Sequence, residues 1–281
     1  MNTVKLEEML KVFFMEDIGE RDMTSTALFE GNEAGEFHFI AKSNGVFCGT
    51  EVIIRGFRML DGQAEFRFHV RDGEPVESGQ PIVDIQGVIP ALLMGERVIL
   101  NLIQRMSGIA TMAHNAAAIL QGTSTKPCDT RKTAPGLRML EKYAVACGGA
   151  SNHRFGLYDG VMIKDNHIAF MGGIAAAVQK AKQANGHMVK IEVETSTKEQ
   201  VVEAVEAGAD IIMFDNCTPE QVAEFVKLVP VHCVTEASGG ITLDNLAAYR
   251  ECGVDYISLG CLTHSVKALD ISAKVNMLEG Q

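Results

Sequence analysis

From about residue 125 onward the sequence alternates between short apolar runs and helix-patterned segments, and this alternation restricts the fold more than any other feature. The pairs in chain order are VMIKDN with GIAAAVQKAKQANG, HMVKIEVET with TKEQVVEAVEAGA, DIIMFDN with TPEQVAEFVKLVP, and VHCVTEASGG with TLDNLAAYRECG, followed by VDYISLG. Repeated strand–helix units predict parallel strands with right-handed crossovers. Their number favours a closed or nearly closed barrel of six or seven strands. No GxGxxG motif follows the first strand, which disfavours a dinucleotide-binding fold.

The first hundred residues have a different pattern. A helical opening, LEEMLKVFFMED, precedes alternating stretches such as EFHFIAKSNGVFCGTEV and AEFRFHVRDGEPVESGQPIVDIQGV. The period-2 pattern and the turn signals DG, SNG and ESGQP predict short, partly antiparallel strands. The following segment, ALLMGERVILNLIQRMSGIATMAHNAAAIL, indicates one or two apolar helices. We place a domain boundary near residue 107, at the Ser107–Gly108 pair.

Composition and charge exclude several classes of function. The formal net charge of -11 argues against general nucleic-acid binding, which requires a broad basic surface. No apolar run approaches the length that spans a membrane, and the first residues carry acidic side chains where a secretory signal would carry positive charge. The seven cysteines include no CxxC pair, so we interpret them as reduced thiols of a cytoplasmic protein.

The predicted barrel strands end in residues suited to chemistry. Active sites of such barrels lie at the carboxyl ends of the strands, where late loops commonly bind phosphate through backbone N–H groups. A lone charged residue at a strand end is usually a solvated loop residue, but the agreement among all strands after 161 favours a site. The strand-end residues are Lys164, Glu194, Asp215, the run Ser238, Gly239 and Gly240, and the run Ser258, Leu259 and Gly260.

Two further expectations concern charged residues near these ends. If the charged face of KIEVET points inward, Glu192 lies one layer below Glu194 and needs a cationic partner, for which Lys190 or Lys164 is available. Glu141 and Lys142 fit an ordinary exposed helix face.

Cations are concentrated between residues 128 and 167 of this acidic chain. Arginine and lysine clusters suit ligands with several carboxylates or phosphates, and they attract anionic substrates into a cleft. Together with the small-residue strand ends, they predict a substrate or substrate pair with several negative charges. Two carboxylates at the mouth suggest magnesium or hydroxyl ligation beside it. The cationic residues are Arg131, Lys132, Arg138, Lys142, His153, Arg154, Lys164 and His167.

Several segments resemble the quinolinate phosphoribosyltransferase family nearly end to end. They are EDIGERDMTS (16–25), ERVILNLIQRMSGIAT (96–111), DTRKTAPGLRMLEKYAVACGGASNHR (129–154), GLYDGVMIKDNH (156–167), KIEVET (190–195), FDN (214–216), EASGGI (236–241) and SLGCLTHSVKALDIS (258–272). One mild departure is Ala134, where threonine is common. The resemblance implies an α/β protein with an N-terminal open sandwich over 1–107 and an incomplete TIM-like (β/α) barrel over 108–264. Residues from about 265 to 281 are expected to pack back on the sandwich.

The resemblance also implies an activity: transfer of the phosphoribosyl group of 5-phosphoribosyl-1-pyrophosphate (PRPP) to quinolinate, with magnesium as cofactor. The products are nicotinate mononucleotide, pyrophosphate and carbon dioxide, a step of NAD biosynthesis. Family members form dimers, sometimes hexamers, in which one subunit's sandwich covers the neighbour's barrel mouth.

The roles implied for individual residues divide by ligand. Arg131, His153, Arg154 and Lys164 surround the quinolinate carboxylates, with Arg105 contributed by the other subunit. Thr130 and Lys132 belong to the substrate site, with Lys132 at the phosphoribosyl phosphates. Glu194 and Asp215 face the ribose hydroxyls and magnesium, directly or through water, and with Lys164 form the catalytic set. The residues about the 5-phosphate are Ser238, Gly239, Gly260 and His264.

Other functions stay open at this point. A relative associated with molybdenum-uptake operons shares the RKT and GGxxHR segments, but Lys164 within IKDN favours quinolinate. A barrel lyase could use Lys164 as a Schiff-base amine, and a non-enzymatic sensor could bind a phosphorylated ligand in the same cleft. Borohydride trapping would identify the lyase, and turnover assays would separate an enzyme from a sensor.

Overall fold

The computed structural model describes residues 1–276, and the chain divides into two compact units. The first unit comprises Met1–Met112, Met139–Gly149 and the segment from Val266 onward; the second comprises Ala113–Arg138 and Ala150–Ser265. Residues 277–281, which belong to the segment expected to return to the sandwich, lie outside the described residues. The division differs from the predicted 1–107 and 108–264 in assigning residues 139–149 to the first unit.

Helices and strands follow one another along the chain as the patterns predict, with short 3₁₀ turns in two late connections. The elements are α1 (Thr3–Ile18), α2 (Met23–Leu28), β1 (Ala34–Ala41), β2 (Gly45–Val46), α3 (Thr50–Leu60), β3 (Glu65–Phe68), β4 (Pro75–Val76), β5 (Pro81–Val88), α4 (Ile89–Ile119), β6 (Lys126–Cys128), α5 (Arg138–Cys147), β7 (Val161–Ile163), α6 (Asp165–Met171), α7 (Ile174–Ala184), β8 (Ile191–Thr195), α8 (Lys198–Glu206), β9 (Ile211–Asp215), α9 (Pro219–Phe225), the 3₁₀ turn Val226–Leu228, β10 (Val234–Ser238), the 3₁₀ turn Leu246–Tyr249, β11 (Tyr256–Ser258), α10 (Cys261–His264) and β12 (Ile271–Asn276).

The first unit is built on a four-stranded antiparallel sheet in the order β12-β1-β5-β3. The period-2 pattern of β1 buries Phe37, Phe39 and Ala41 on one face, as alternation in a half-buried strand requires. Phe39 meets Phe57 of α3 with ring centroids 6.1 Å apart, and burying such a side chain stabilises the fold by about 1.5–3 kcal/mol. Strand β12 pairs with β1, so the described C-terminal residues join this sheet.

The Ser107–Gly108 pair lies within α4, a single continuous helix of 31 residues. Ser107 is fully buried, and its hydroxyl accepts from the Cys48 N–H at 3.0 Å and donates to the Cys48 carbonyl at 3.2 Å. A Cβ at Gly108 would lie 2.2 Å from the Lys267 carbonyl oxygen. The small residues therefore permit close packing inside the first unit, and they are not a linker.

The prediction that Glu141 and Lys142 form an exposed helix face is wrong. Glu141 is 1% exposed and Lys142 is fully buried. Glu141 accepts from Arg105 through Nε at 2.9 Å and Nη2 at 2.7 Å, which compensates the cost of burying the carboxylate. The next turn of α5 is held by Tyr143, whose hydroxyl donates to Asp72 at 2.7 Å. These contacts join α5 to the first unit.

The second unit contains a six-stranded, all-parallel sheet in the order β6-β11-β10-β9-β8-β7. Its two outer strands, β6 and β7, are not paired with each other within residues 1–276, so the barrel is incomplete rather than closed. Apolar strand residues such as Val193, Ile212 and Phe214 are fully buried, as both-face burial of parallel strands requires. Thr197 and Thr218 cap α8 and α9 by accepting backbone N–H bonds.

No helix within residues 1–276 has both the length and the apolar character needed to cross a membrane.

Candidate active site

A cleft of about 890 Å³ opens at the carboxyl ends of the parallel strands of the second unit. Because parallel strands point the same way, the residues that end them converge at one edge of the sheet. Twelve of the predicted site residues line this cleft: Thr130, Arg131, Lys132, His153, Arg154, Lys164, Glu194, Asp215, Ser238, Gly239, Gly240 and Ser258.

Three predicted residues near the end of β11 do not line the cleft. Leu259 is fully buried, and its N–H donates to the Cys128 carbonyl at 2.9 Å, so neither its side chain nor its amide is available to a phosphate. The expectation for Leu259 is therefore wrong. Gly260 and His264 adjoin the cleft through Lys132: a Cβ on Gly260 would lie 3.0 Å from the Lys132 Cδ and 3.1 Å from the His264 ring.

Arg105 belongs to the first unit, within α4. Its guanidinium is bound to the buried carboxylate of Glu141. Its contribution to another subunit's site stays a prediction.

Two arginines in the cleft create a concentrated positive charge. The Nε of Arg131 is buried and has no hydrogen-bond partner among the described residues. Burial and the neighbouring Arg131 charge lower the pKa of Arg154, against the opposing effect of Glu192. One edge of Arg154 is held by the Gly160 carbonyl, which accepts from Nη1 at 2.9 Å. Adjacent guanidiniums with an unused buried N–H are the expected arrangement for binding a carboxylate or phosphate.

The carboxylates at the mouth occupy different environments. Glu194 forms an ion pair with Lys164 and is largely shielded, while the Lys164 side chain is 45% exposed. Asp215 ends β9 and accepts from the Asn216 side-chain amide at 2.7 Å. Carboxylate oxygens on neighbouring strands are the ligand type that Mg²⁺ prefers, so Glu194 and Asp215 fit the predicted metal.

The deeper carboxylate, Glu192, has an unexpected partner. We expected Lys190 or Lys164, but Lys190 binds Asp210 at 3.1 Å and Lys164 binds Glu194. His153 occupies the position instead, with its Nε2 at 3.0 Å from a Glu192 oxygen. Lys190 precedes β8 and points to solvent, with 72% of its side chain exposed, which explains the error.

A second buried carboxylate, Glu236, completes this cluster and was not predicted. It lies 3.6 Å from His153 Nε2 and accepts from the Ser258 hydroxyl. Burial, and next the charge of Glu192, raise the pKa of Glu236 to about 7. The sequence feature that could have identified Glu236 is its position inside the strand VTEAS, two residues before the strand end. Inward-facing residues alternate along a barrel strand, so Glu236 and Ser238 share a face.

The backbone also fixes the tautomer of His153. Its Nδ1 accepts from the Arg154 N–H at 2.8 Å, so the ring proton resides on Nε2 and is donated to Glu192. The His153 N–H donates to Asp129, which is fully buried, at 2.8 Å. The orientation of His153 in the cleft is therefore set by its contacts with Asp129, the Arg154 N–H and Glu192.

Gly239 is required by the close approach of two strand-end loops. Its φ is +94°, and a Cβ there would lie 2.6 Å from the Asn216 backbone nitrogen. Asn216 itself has a φ of +55° and donates its N–H to the Ser238 carbonyl at 2.9 Å. Asn216 lines the cleft beside Asp215 and was not predicted as a site residue.

Comparisons with known proteins agree along the whole length of the chain. Residues 22–107 match the model of the quinolinate phosphoribosyl transferase N-terminal domain, and residues 109–274 match that of the C-terminal domain. A probable nicotinate-nucleotide pyrophosphorylase [carboxylating] from Bacillus subtilis is 56% identical over 277 residues, covering 99% of this chain and 96% of that protein. A quinolinate phosphoribosyltransferase [decarboxylating] from Nicotiana tabacum is 38% identical, covering 98% and 83%.

Among solved structures, NadC from Streptococcus pyogenes superimposes with a TM-score of 0.95 at 37% identity, covering 99% of both chains. This match agrees with the predicted α/β class, a sandwich followed by an incomplete barrel. The sequence, the two matched domain models and the fold lead to one conclusion: this chain belongs to the quinolinate phosphoribosyltransferase family.

Proposed function

We propose that the protein transfers the phosphoribosyl group of PRPP to quinolinate and releases carbon dioxide, giving nicotinate mononucleotide and pyrophosphate. The observation that carries the proposal is the pair Arg131 and Arg154, whose charges share one cleft and leave the Arg131 Nε buried without a partner. A ligand with two neighbouring carboxylates compensates both guanidiniums. The family membership supports this assignment.

Quinolinate binding follows from the side chains on one wall of the cleft. The arginine forks donate to the two adjacent carboxylates of the pyridine ring, with each charge-assisted contact worth about 1.5–3 kcal/mol. The contact with Glu192 fixes the orientation of the His153 imidazole, which faces the pyridine ring of quinolinate. Lys164 adds a positive charge at the rim and is itself balanced by Glu194.

PRPP binding is assigned to the opposite strand ends. Gly239 and Gly240 both have positive φ, and a Cβ on Gly240 would meet nothing within 4 Å, which leaves space for a phosphate beside the backbone there. Glu194 and Asp215 suit the ribose hydroxyls and would hold magnesium, directly or through water. When bound, magnesium would neutralise the charge of the departing pyrophosphate.

The chemistry requires positioning more than an enzymic nucleophile. The pyridine nitrogen attacks the ribose C1 as the bond from C1 to pyrophosphate breaks, and the carboxylates near the ribose stabilise the positive charge that develops on C1. The ribosylated nitrogen is cationic, so it stabilises the electron pair left on the neighbouring carbon when carbon dioxide departs. That carbon then takes up a proton. The arginines hold the surviving carboxylate throughout.

We also propose a homodimer, or a hexamer assembled from dimers, in which Arg105 reaches the partner's cleft, and a cytoplasmic location for this assembly. The buried Glu141 carboxylate holds the Arg105 guanidinium from its own subunit. Mixing an Arg105→Ala subunit with a Lys164→Ala subunit tests this arrangement, because each mixed dimer then contains one intact site. Recovery of activity supports contribution in trans, and no recovery places Arg105 in its own subunit's site or outside the reaction.

The competing lyase function finds less support in the geometry. A Schiff-base lysine attacks as the neutral amine, whereas the Lys164 side chain is engaged in an ion pair with Glu194. The decisive experiment supplies quinolinate, PRPP and magnesium, and then follows carbon dioxide and nicotinate mononucleotide. Equal amounts of both products support the proposal, and a borohydride-trapped adduct on Lys164 with no nucleotide would replace it with the lyase.

A further inference from the structure

A pair of thiols lies in the first unit, and neither cysteine is among the residues that line the cleft. The sulfurs of Cys48 and Cys147 and a carboxylate oxygen of Asp72 all lie within 4.8 Å of one another. Cys48 is fully buried, while Cys147 is partly exposed at the end of α5. The Cys147 thiol is therefore accessible to solvent, and the buried Cys48 sulfur lies within 4.8 Å of it.

Both carboxylate oxygens of Asp72 already accept hydrogen bonds from neighbouring residues. One of its oxygens accepts from the N–H groups of Gly49 and Thr50 at 2.9 Å each and from the Thr50 hydroxyl at 2.7 Å. The other accepts from the Tyr143 hydroxyl at 2.7 Å. These four bonds cap α3 and secure α5, so the carboxylate is poorly available to a metal and the two sulfurs remain as the reactive groups.

The backbones around both cysteines approach the same residue, Gly73. Its N–H donates to the carbonyl of Phe47, the neighbour of Cys48, at 2.9 Å. A Cβ on Gly73 would lie 3.0 Å from the Cys147 carbonyl oxygen, and its φ is +89°. The glycine thus allows the two chain segments to approach closely, which a disulfide also requires.

The two thiols are chemically unequal. Hydrogen bonding to Cys147, followed by burial, raises the pKa of Cys48. The same bond lowers the pKa of Cys147, against burial and the Asp72 charge. Because the thiolate is the nucleophile, Cys147 is the residue that reacts first with an oxidant, and Cys48 is positioned to react second.

We propose that Cys48 and Cys147 form a reversible disulfide when the protein meets a peroxide. The Cys147 thiolate attacks one peroxide oxygen, the O–O bond breaks, and the leaving oxygen takes a proton, which leaves a sulfenic acid on Cys147. The Cys48 sulfur then attacks the Cys147 sulfur, the S–O bond breaks, and hydroxide departs with the Cys48 proton as water. Each thiol loses one hydrogen, and hydrogen peroxide is reduced to two waters.

The test uses the intact, full-length protein treated with hydrogen peroxide, followed by alkylation of the remaining thiols and tryptic digestion. We expect the number of free thiols to fall from seven to five. We also expect a species joining peptide 43–55 to peptide 143–154 and weighing two hydrogens less than their sum. A thiol reductant should restore all seven thiols. Alkylation of both peptides after other cysteines have been oxidised would overturn the proposal.

Variants separate the two roles. Cys48→Ser should leave a sulfenic acid on Cys147 that a cyclic dione traps, whereas Cys147→Ser should leave Cys48 reduced. Cys261 is the internal control, because it is also partly exposed but burial raises the pKa of its thiol. Circular dichroism establishes that each variant is folded. A Cys147→Ser protein in which Cys48 is still oxidised at the original rate would contradict the assigned order.

Discussion

Replacing Arg131 with methionine should separate binding from folding. The Arg131 Nε is buried without a partner, and its charge lowers the pKa of Arg154, so the folded protein gains little from this guanidinium. Methionine keeps most of the side-chain volume and removes the repulsion. We therefore expect the free energy of unfolding to stay the same or to increase.

Substrate binding should respond in the opposite direction. Loss of a bidentate contact to one quinolinate carboxylate removes about 3 kcal/mol, which corresponds to about a hundredfold change in an equilibrium constant. We expect kcat/KM for quinolinate to fall by about that factor at saturating PRPP, while PRPP affinity changes little.

Steady-state kinetics and urea unfolding of the same preparations provide the comparison. Arg97→Met is the control, because the Arg97 side chain is 61% exposed and its ion pair with Glu96 is 3.8 Å long. It should leave both quantities unchanged. A destabilised Arg131→Met protein with normal quinolinate kinetics would refute the reasoning, since it would make this arginine a structural residue.

Three further changes test other parts of the structure. Because the pKa of Glu236 is raised to about 7 in the folded protein, the free energy of unfolding should be highest below the pKa of an unfolded glutamate and should fall by roughly 3 kcal/mol as pH rises through 7. In denaturant titrations at several pH values, Glu236→Gln should remove most of this fall. The same pH dependence in both proteins would contradict the role given to Glu236. Gly108→Ala should cost about 1–3 kcal/mol because its Cβ meets backbone, whereas Gly186→Ala, which faces open space, should be neutral in thermal unfolding. Glu141→Gln should weaken the ion pair that positions the Arg105 guanidinium, and it should therefore raise the quinolinate KM more than it lowers kcat. A fall in kcat alone would contradict a positioning role for Glu141.

The location of the site could be predicted because parallel strands share a direction. Once Lys164, Glu194, Asp215 and Ser238 were placed at strand ends, their convergence followed from the sheet itself, and the cleft contains all four. The cap of α8 by Thr197 is also local in origin, because its side chain accepts from the N–H of Gln200, three residues further on.

The errors concern contacts between residues distant in sequence. The burial of Glu141 depends on Arg105, which lies 36 positions away, and no periodicity in α5 reveals it. His153 reaches Glu192 because the chain at Ser151 pairs with the end of β6 at Cys128, a contact between residues 23 positions apart. Ser107 and Gly108 resembled a linker because small residues also mark close packing, and only the position of Lys267 distinguishes the two.

The most direct measurement follows quinolinate labelled in its C2 carboxylate, together with PRPP and magnesium. The proposed function predicts labelled carbon dioxide, nicotinate mononucleotide and pyrophosphate in equal amounts, with no carbon dioxide when PRPP is omitted. Quinolinate that remains intact under these conditions, or carbon dioxide that appears without PRPP, would contradict it.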